Sequence, residues 1–209
     1  MKSIVVLLFT IVPWIVPGNL QGQTDSLKTG KGIPVNAYLG IGGGSITGGG
    51  NVDISLTTTS KGGMGGSLHY MPGFIYLKNV PEDYYEGFLR TSTPIHTFQV
   101  LSVNFVKKFS NKKGTFRFGL EAGPSWGWFD MVSLKLNPDY PGLMEYKYDK
   151  IRTKKNDFGF SSAIRADFPF TRFLGCDISL FTNLNSIQSF FGIDFSLILG
   201  MVRAEKYKF

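Results

Sequence analysis

Apolar and polar side chains alternate along most of this chain with a period of two, the repeat of a strand whose two faces meet different surroundings. In the last such segment Phe191, Ile193, Phe195, Leu197, Leu199 and Met201 share one face, opposite Gly192, Asp194, Ser196, Ile198, Gly200 and Val202. Before it, Leu174, Cys176, Ile178, Leu180, Thr182 and Leu184 oppose Gly175, Asp177, Ser179, Phe181 and Asn183. Phe158, Phe160, Ser162, Ile164, Ala166 and Phe168 oppose Asp157, Gly159, Ser161, Ala163, Arg165 and Asp167. Further upstream Phe116, Phe118, Leu120, Ala122, Pro124, Trp126 and Trp128 oppose Thr115, Arg117, Gly119, Glu121, Gly123, Ser125 and Gly127. The second face is small and polar and carries the charge, which the core of a soluble protein does not normally accept.

Weaker alternation continues toward the N-terminus, through Ile33 to Ile41 and through Val52 to Leu56. Met64 to Tyr76 and His96 to Phe109 bring the count to eight; in the second the apolar phase slips between Val100 and Leu101, as a β-bulge would cause. The connectors sort by length. Ser60-Lys61-Gly62, Ser110 to Gly114 and Phe170 to Arg172 are short, whereas 77–95 and 129–156 are long, and an up-and-down path puts the two kinds at opposite ends. Gly43 to Gly50 and Asn185 to Ser189 are brief connections at the long-loop end. Short periplasmic turns and long outer loops are the habit of membrane barrels. Each clear strand keeps its alternation for about 10 to 12 residues, what a tilted strand needs to cross hydrocarbon. The predicted fold is all-β: an antiparallel up-and-down transmembrane β-barrel of about eight strands over 33–203, with a polar filled interior.

Composition sharpens this picture at three points. There are 26 Gly and 19 Phe, and the aromatics gather near strand ends. Trp126, Trp128, Phe129, Phe158, Phe190 and Phe191 fall toward the outer end, and Phe105, Phe109, Phe168, Phe170 and Phe173 toward the inner. Interfacial girdles explain both groups, with Trp126, Trp128, Phe158, Phe168, Phe170 and Phe191 as their principal members. Met1-Lys2, the apolar run Ile4 to Pro17 and the polar exit before Gln23 come in the order of an export signal, expected over 1–22. A periplasmic segment would follow over 23–32. After it no apolar stretch of about 18 residues remains, which excludes a helical membrane protein. Cys176 is the only cysteine, so no internal disulfide forms. The net charge of +7 is spread over turn positions such as Lys107, Lys108, Lys112, Lys113, Lys154 and Lys155, a solvated rim rather than a nucleic-acid surface.

At Phe116-Arg117-Phe118-Gly119-Leu120-Glu121-Ala122-Gly123-Pro124-Ser125-Trp126, with the alternating final strand and terminal Phe209, the chain resembles the small porin-like outer-membrane β-barrel domain family of Gram-negative bacteria. The likeness covers nearly all of the mature chain. It implies a cell outer-membrane location, no catalytic residue and no cofactor. It also implies a C-terminal aromatic signal, Tyr207 and Phe209, read by the barrel-assembly machinery during insertion. Arg203 and Glu205 break the apolar parity, so the last strand is expected to emerge near Arg203, with 204–209 as a tail or the end of that strand.

The interior candidates are Asp53, Arg117, Glu121, Asp157, Arg165, Asp167, Asp177 and Asp194, with polar neighbours such as Asn104, Ser179 and Asn183. Eight strands enclose only side-chain width, so a paired network that closes the barrel is the first reading. A narrow ion or water path, or a ligand over Gly40, Gly42, Gly119, Gly123 and Gly192, is the second. Ser67 and His69 share one strand face and are the only nucleophile and base near each other, but same-face neighbours stand about 6 to 7 Å apart, so a hydrogen bond needs favourable rotamers. Neither histidine has companions at metal-ligand spacing. The triplets Gly42-Gly43-Gly44 and Gly48-Gly49-Gly50 lack the lysine of a phosphate loop and read as a hairpin.

These features point to a non-enzymatic outer-membrane protein with a structural, adhesive or surface-interaction role, displaying loops 77–95 and 129–156. Its expected partners are outer-membrane lipid and an extracellular or envelope protein. A small porin or secretion-accessory barrel is the alternative, and a lipid-modifying enzyme a third reading. Membrane fractionation and gel mobility test the class: the unheated protein should migrate differently from the boiled one, as closed barrels do, and a soluble lipocalin-like protein should not.

Overall fold

The computed structural model describes residues 36–60, 62–85, 93–111, 114–137 and 148–202. The expected export signal 1–22, the segment 23–32 and the tail 204–209 with Tyr207 and Phe209 lie outside the described residues. Eight strands follow one another: β1 (Asn36–Ile46), β2 (Gly49–Thr59), β3 (Met64–Tyr76), β4 (Ile95–Ser110), β5 (Arg117–Leu136), β6 (Tyr148–Pro169), β7 (Leu174–Leu184) and β8 (Phe190–Met201). Each pairs antiparallel with the next, and β8 pairs with β1 to close the ring. One turn of 3-10 helix, Glu82–Tyr85, lies in the connection from β3 to β4.

The stagger of the ring follows from the register. Asn36 faces Thr59, which faces Gly65, then Val106, Glu121, Ala163, Phe181 and Gly192 in turn, and Gly192 faces Ile46, ten residues along β1 from the start. From the strand rise and spacing, that stagger tilts the strands by about 40° and leaves a backbone radius of about 8 Å. Side chains from opposite walls therefore meet in the middle.

Alternation sets the two surfaces. Outward positions such as Leu39, Ile54, Phe118, Leu120, Ile164, Leu180, Phe195 and Leu197 are exposed, while inward Asp53, Glu121, Arg165, Asp177 and Asp194 are buried. In β4 the inward set is Phe98, Val100, Ser102, Asn104, Val106 and Lys108, without a break in parity. Its register also holds from Met64↔Lys107 to Tyr76↔Ile95 and from Thr97↔Asp130 to Ser110↔Arg117. The bulge expected there is absent. The apolar phase slips because the outer part of the interior is itself apolar.

The outer connections differ from expectation as well. β1 and β2 run on through the glycine triplets to a turn at Thr47-Gly48. The expected loop 129–156 is largely strand: β5 and β6 stay paired from Phe129↔Lys155 to Leu136↔Tyr148. β4 ends its pairing with β5 at Asp130, and β7 ends its pairing with β6 at Phe160, so the pair continues as a two-stranded arm beyond the ring. The 3-10 turn folds against this arm, with the Tyr84 and Tyr148 rings 6.1 Å apart and Lys150 Nζ 5.9 Å from the Tyr84 ring centre.

Gly48 and Gly63 occupy turns at opposite ends with φ of 78° and 76°, where an L side chain is strained. Around Gly48 a Cβ would make only ordinary contact with the Ile75 side chain at 3.8 Å, whereas at Gly63 it would run into the Lys108 carbonyl oxygen, a backbone atom that cannot swing away. Gly48→Ala should thus cost about 1 to 2 kcal/mol of conformational strain, and Gly63→Ala distinctly more. Urea unfolding of the refolded barrel in micelles would show that ranking; equal losses would contradict it.

Candidate functional site

The middle of the interior is an ion lattice around Arg165. β6 points this side chain inward, where Nε lies 3.3 Å from Glu121 Oε1, Nη1 3.1 Å from Asp177 Oδ2 and Nη2 3.9 Å from Asp53 Oδ2. The imidazole of His69 bridges two of the same carboxylates, with Nδ1 3.1 Å from Asp53 Oδ2 and Nε2 2.9 Å from Glu121 Oε2. Ser67 Oγ donates to Glu121 Oε2 at 2.9 Å. Carboxylates at both ring nitrogens match an imidazolium, which donates from both.

A second cluster closes the inner end. Asp167 accepts from Lys108 Nζ at 2.5 Å and from the Tyr38 hydroxyl at 3.3 Å, and pairs with the Arg117 guanidinium, whose Nη2 lies 3.1 Å from its Oδ2. Lys108 also donates to the Tyr38 hydroxyl, and its Nζ lies 4.7 Å from the centre of that ring. Arg117 Nη1 donates to the Val202 carbonyl at 2.5 Å, tying the end of the last strand to β5. Tyr38, Ile198 and Val202 pack beside the cluster.

The third layer, at the outer end, is apolar. Ile46, Ile75, Phe98, Val100, Phe129, Phe181 and Phe190 pack together across the interior, flanked by Met71, Met131 and Ile187. The Phe98 and Phe190 ring centres are 4.7 Å apart, and Phe98 and Phe129 6.4 Å. Phe129 and Phe190, expected in the outer girdle, point inward because they share parity with Gly127 and Gly192 respectively. The interior is therefore polar over only part of its height.

Of the other sequence candidates, Trp126, Trp128, Phe158, Phe170 and Phe191 are exposed on the outer wall. Phe168 is half-buried there, its ring centre 5.4 Å from that of Phe116. Asp194 lies inside and accepts from Asn51 Nδ2 at 2.8 Å. Asp157 has inward parity but sits above the buried lattice. It accepts from Ser186 N at 2.6 Å and Ser186 Oγ at 2.7 Å, so it caps the β7–β8 connection instead of joining the interior network. Lys108, read as part of a charged turn, is the residue that sequence reasoning missed. Its signal was parity, since it continues the inward row of Asn104 and Val106.

The glycines suggested as ligand space are filled. A Cβ at Gly40 would meet Ser55 Oγ, one at Gly42 would meet Ser196 Oγ, and one at Gly192 would meet the Phe181 ring and Ile46. At Gly119 it would face Lys108 and Arg165, and at Gly123 the Val103 carbonyl. Likewise the Ser67 to His69 contact, which strand spacing argued against, is made at 3.1 Å. It does not activate Ser67, because the serine proton goes to Glu121 and His69 Nε2 faces that same carboxylate. His96 Nδ1 accepts from Val132 N at 3.0 Å and braces the base of the arm. Among the described residues no three His, Cys, Asp or Glu side chains converge as metal ligands.

A wall apolar on its outside and a core of buried ion pairs is the reverse of a soluble protein, and closing the ring pairs the strand edges of the wall itself, as hydrocarbon demands. The chain is an outer-membrane β-barrel. Among solved structures it is similar to a major outer membrane protein from Thermus thermophilus, with a TM-score of 0.53 and 11% identity, covering 79% of this chain and 98% of that one. The N-terminal β-barrel domain of Pseudomonas aeruginosa OprF gives a TM-score of 0.49 at 11% identity, over 80% of this chain and 98% of that one. Neisserial surface protein A gives 0.49 at 10% identity, over 79% and 95%. No family model matches the barrel and no curated protein matches it by sequence. At these identities the likeness is one of fold.

Replacing Arg165 by Met would leave Glu121 and Asp177 buried beside an uncharged chain, a loss of about 3 to 5 kcal/mol. Asp157→Asn, on the solvated rim, should lower stability far less. Urea midpoints followed by Trp126 and Trp128 fluorescence would separate the two; matching midpoints would show that the lattice is not what holds the interior.

Proposed function

We propose that this outer-membrane barrel is a non-conducting, non-enzymatic anchor that presents its outer arm and the loop packed against it to partners beyond the membrane. The observation that carries the reading is the filled interior. An ion or solute entering from outside would have to part the Phe98, Phe129, Phe181 and Phe190 rings, then cross the lattice around Arg165, then pass the Tyr38, Lys108 and Asp167 cluster. Each layer is bonded or packed from several strands.

The arm supports the second half of the reading. It carries Lys135, Lys150, Arg152, Lys154 and Lys155 against Asp130 and Asp149, so a partner with an acidic surface suits it. Arg152 keeps a side-chain exposure of 66% while pairing with Asp130 at 3.2 Å. Among the described residues, β6 has no ring partner on the β7 side from 149 to 159, which leaves backbone groups able to pair with another chain. Where the arm leaves the wall it stands above Trp126, Trp128 and Phe158, at the level of lipid head groups.

Planar-bilayer recording tests the closed interior. The refolded protein should give no steady conductance. A steady current that falls when Arg117 or Arg165 is replaced would select a channel instead.

A further inference from the structure

Five buried carboxylates face the interior among the described residues: Asp53, Glu121, Asp167, Asp177 and Asp194. Four of them lie in ion pairs with Lys108, Arg117, Arg165 or His69, which as an imidazolium brings the cations to four. Asp194 is the fifth. Though only 2% exposed, it has no cation within ion-pair distance among the described residues, and its hydrogen-bond partner is the neutral amide of Asn51. A buried carboxylate left in that condition is costly.

The surroundings of Asp194 are oxygen-rich. β1 contributes no side chain at Gly42 and Gly44, and over that bare strip β2 and β8 face each other from the two sides. Gly44 is paired with Asn51 on β2 and with Asp194 on β8, and Gly42 with Asp53 and with Ser196. The side chains lie across the strip: a Cβ at Gly42 would strike Ser196 Oγ, one at Gly44 Asp194 Oδ1, and one at the next inward position, Gly40, Ser55 Oγ. Ser196 Oγ, Ser55 Oγ and Asn51 Oδ1 are buried without a hydrogen-bond partner. Ser196 and Asn51 thus bring two unpartnered neutral oxygens to the same stretch of the strip as a carboxylate that lacks a counter-charge, while Ser55, over Gly40, stands farther along it.

We propose that this strip is a site for a single monovalent hard cation of the sodium kind, bound between Asp194 and Ser196 on β8 and Asn51 and Asp53 on β2. The donor set is oxygen throughout, which suits a hard cation and not a transition metal. The charge count chooses the valence, since one positive charge balances the one unmatched carboxylate. The bare glycines let Ser196 and Asp194 lie across β1, which brings the oxygens of β8 beside those of β2; any side chain at 42 or 44 would displace them. The site is separate from the surface role proposed above and stands whether or not the arm has a partner.

The test is thermal unfolding of the refolded full chain in micelles at fixed ionic strength, in sodium chloride against choline chloride. Sodium should raise the midpoint by roughly 3 to 6 °C at saturating concentration, and Asp194→Asn should remove the difference. Ser196→Ala, which changes no charge, should weaken it, and serves if Asp194→Asn fails to fold. Thallium(I) soaked into crystals of the wild-type protein should give one anomalous peak over Gly42 and Gly44. Equal midpoints in the two salts with no such peak would overturn the proposal and leave a proton as the partner of Asp194. A sodium response that survives Asp194→Asn would overturn it too, by placing the effect elsewhere. A response to calcium chloride with none to sodium would refute the monovalent assignment.

Discussion

Closure of the sheet is the constraint on which the other features depend. Once eight strands return to their start with a stagger of ten residues, the width of the interior is set, and the space must be filled from the walls. What fills it is decided by level. Phenylalanines from β4, β5, β7 and β8 meet near the outer mouth, carboxylates and guanidinium groups meet in the middle, and a tyrosine-lysine-aspartate cluster meets near the inner turns. Each layer combines neighbouring strands with strands distant in the chain, so none is complete until the walls have come together.

This arrangement explains the glycine content better than curvature alone. Inward glycines sit where a neighbour's side chain must cross the wall of the barrel: Gly73 beside the Phe98 ring, Gly127 beside Phe129, Gly192 beside Phe181, and Gly42 and Gly44 beneath Ser196 and Asp194. Large inward groups and bare inward positions are thus two halves of one packing pattern. A substitution at such a glycine would be felt first in the side chain that lies over it.

Much of the fold was legible because parity is a strong signal when one face must meet lipid. β5, β7 and β8 follow the alternation read from the sequence almost residue for residue. The errors have a common cause. Phe98, Val100, Phe129 and Phe190 are apolar and face inward, so a rule that sends apolar side chains outward misplaces them or reads a bulge. Lys108 erred the other way, a cation next to a turn that nevertheless reaches Asp167 inside. Asp157 had the right parity and the wrong height. Alternation tells which face a residue lies on, and it is silent about depth along the axis, which depends on the stagger of the whole ring. The pairing of β5 and β6 past position 130 was hidden for a different reason, since a solvated hairpin has no apolar face to mark it.

Among the described residues the arm rises from one wall, so the molecule they outline is a cylinder with an off-axis flag. In a fluid bilayer a cylinder with a uniformly apolar belt spins about its own axis and drifts in the plane without favouring any bearing. Neighbouring copies then point their flags at every compass direction. A dense array of such barrels would act as an isotropic surface, although each member is lopsided.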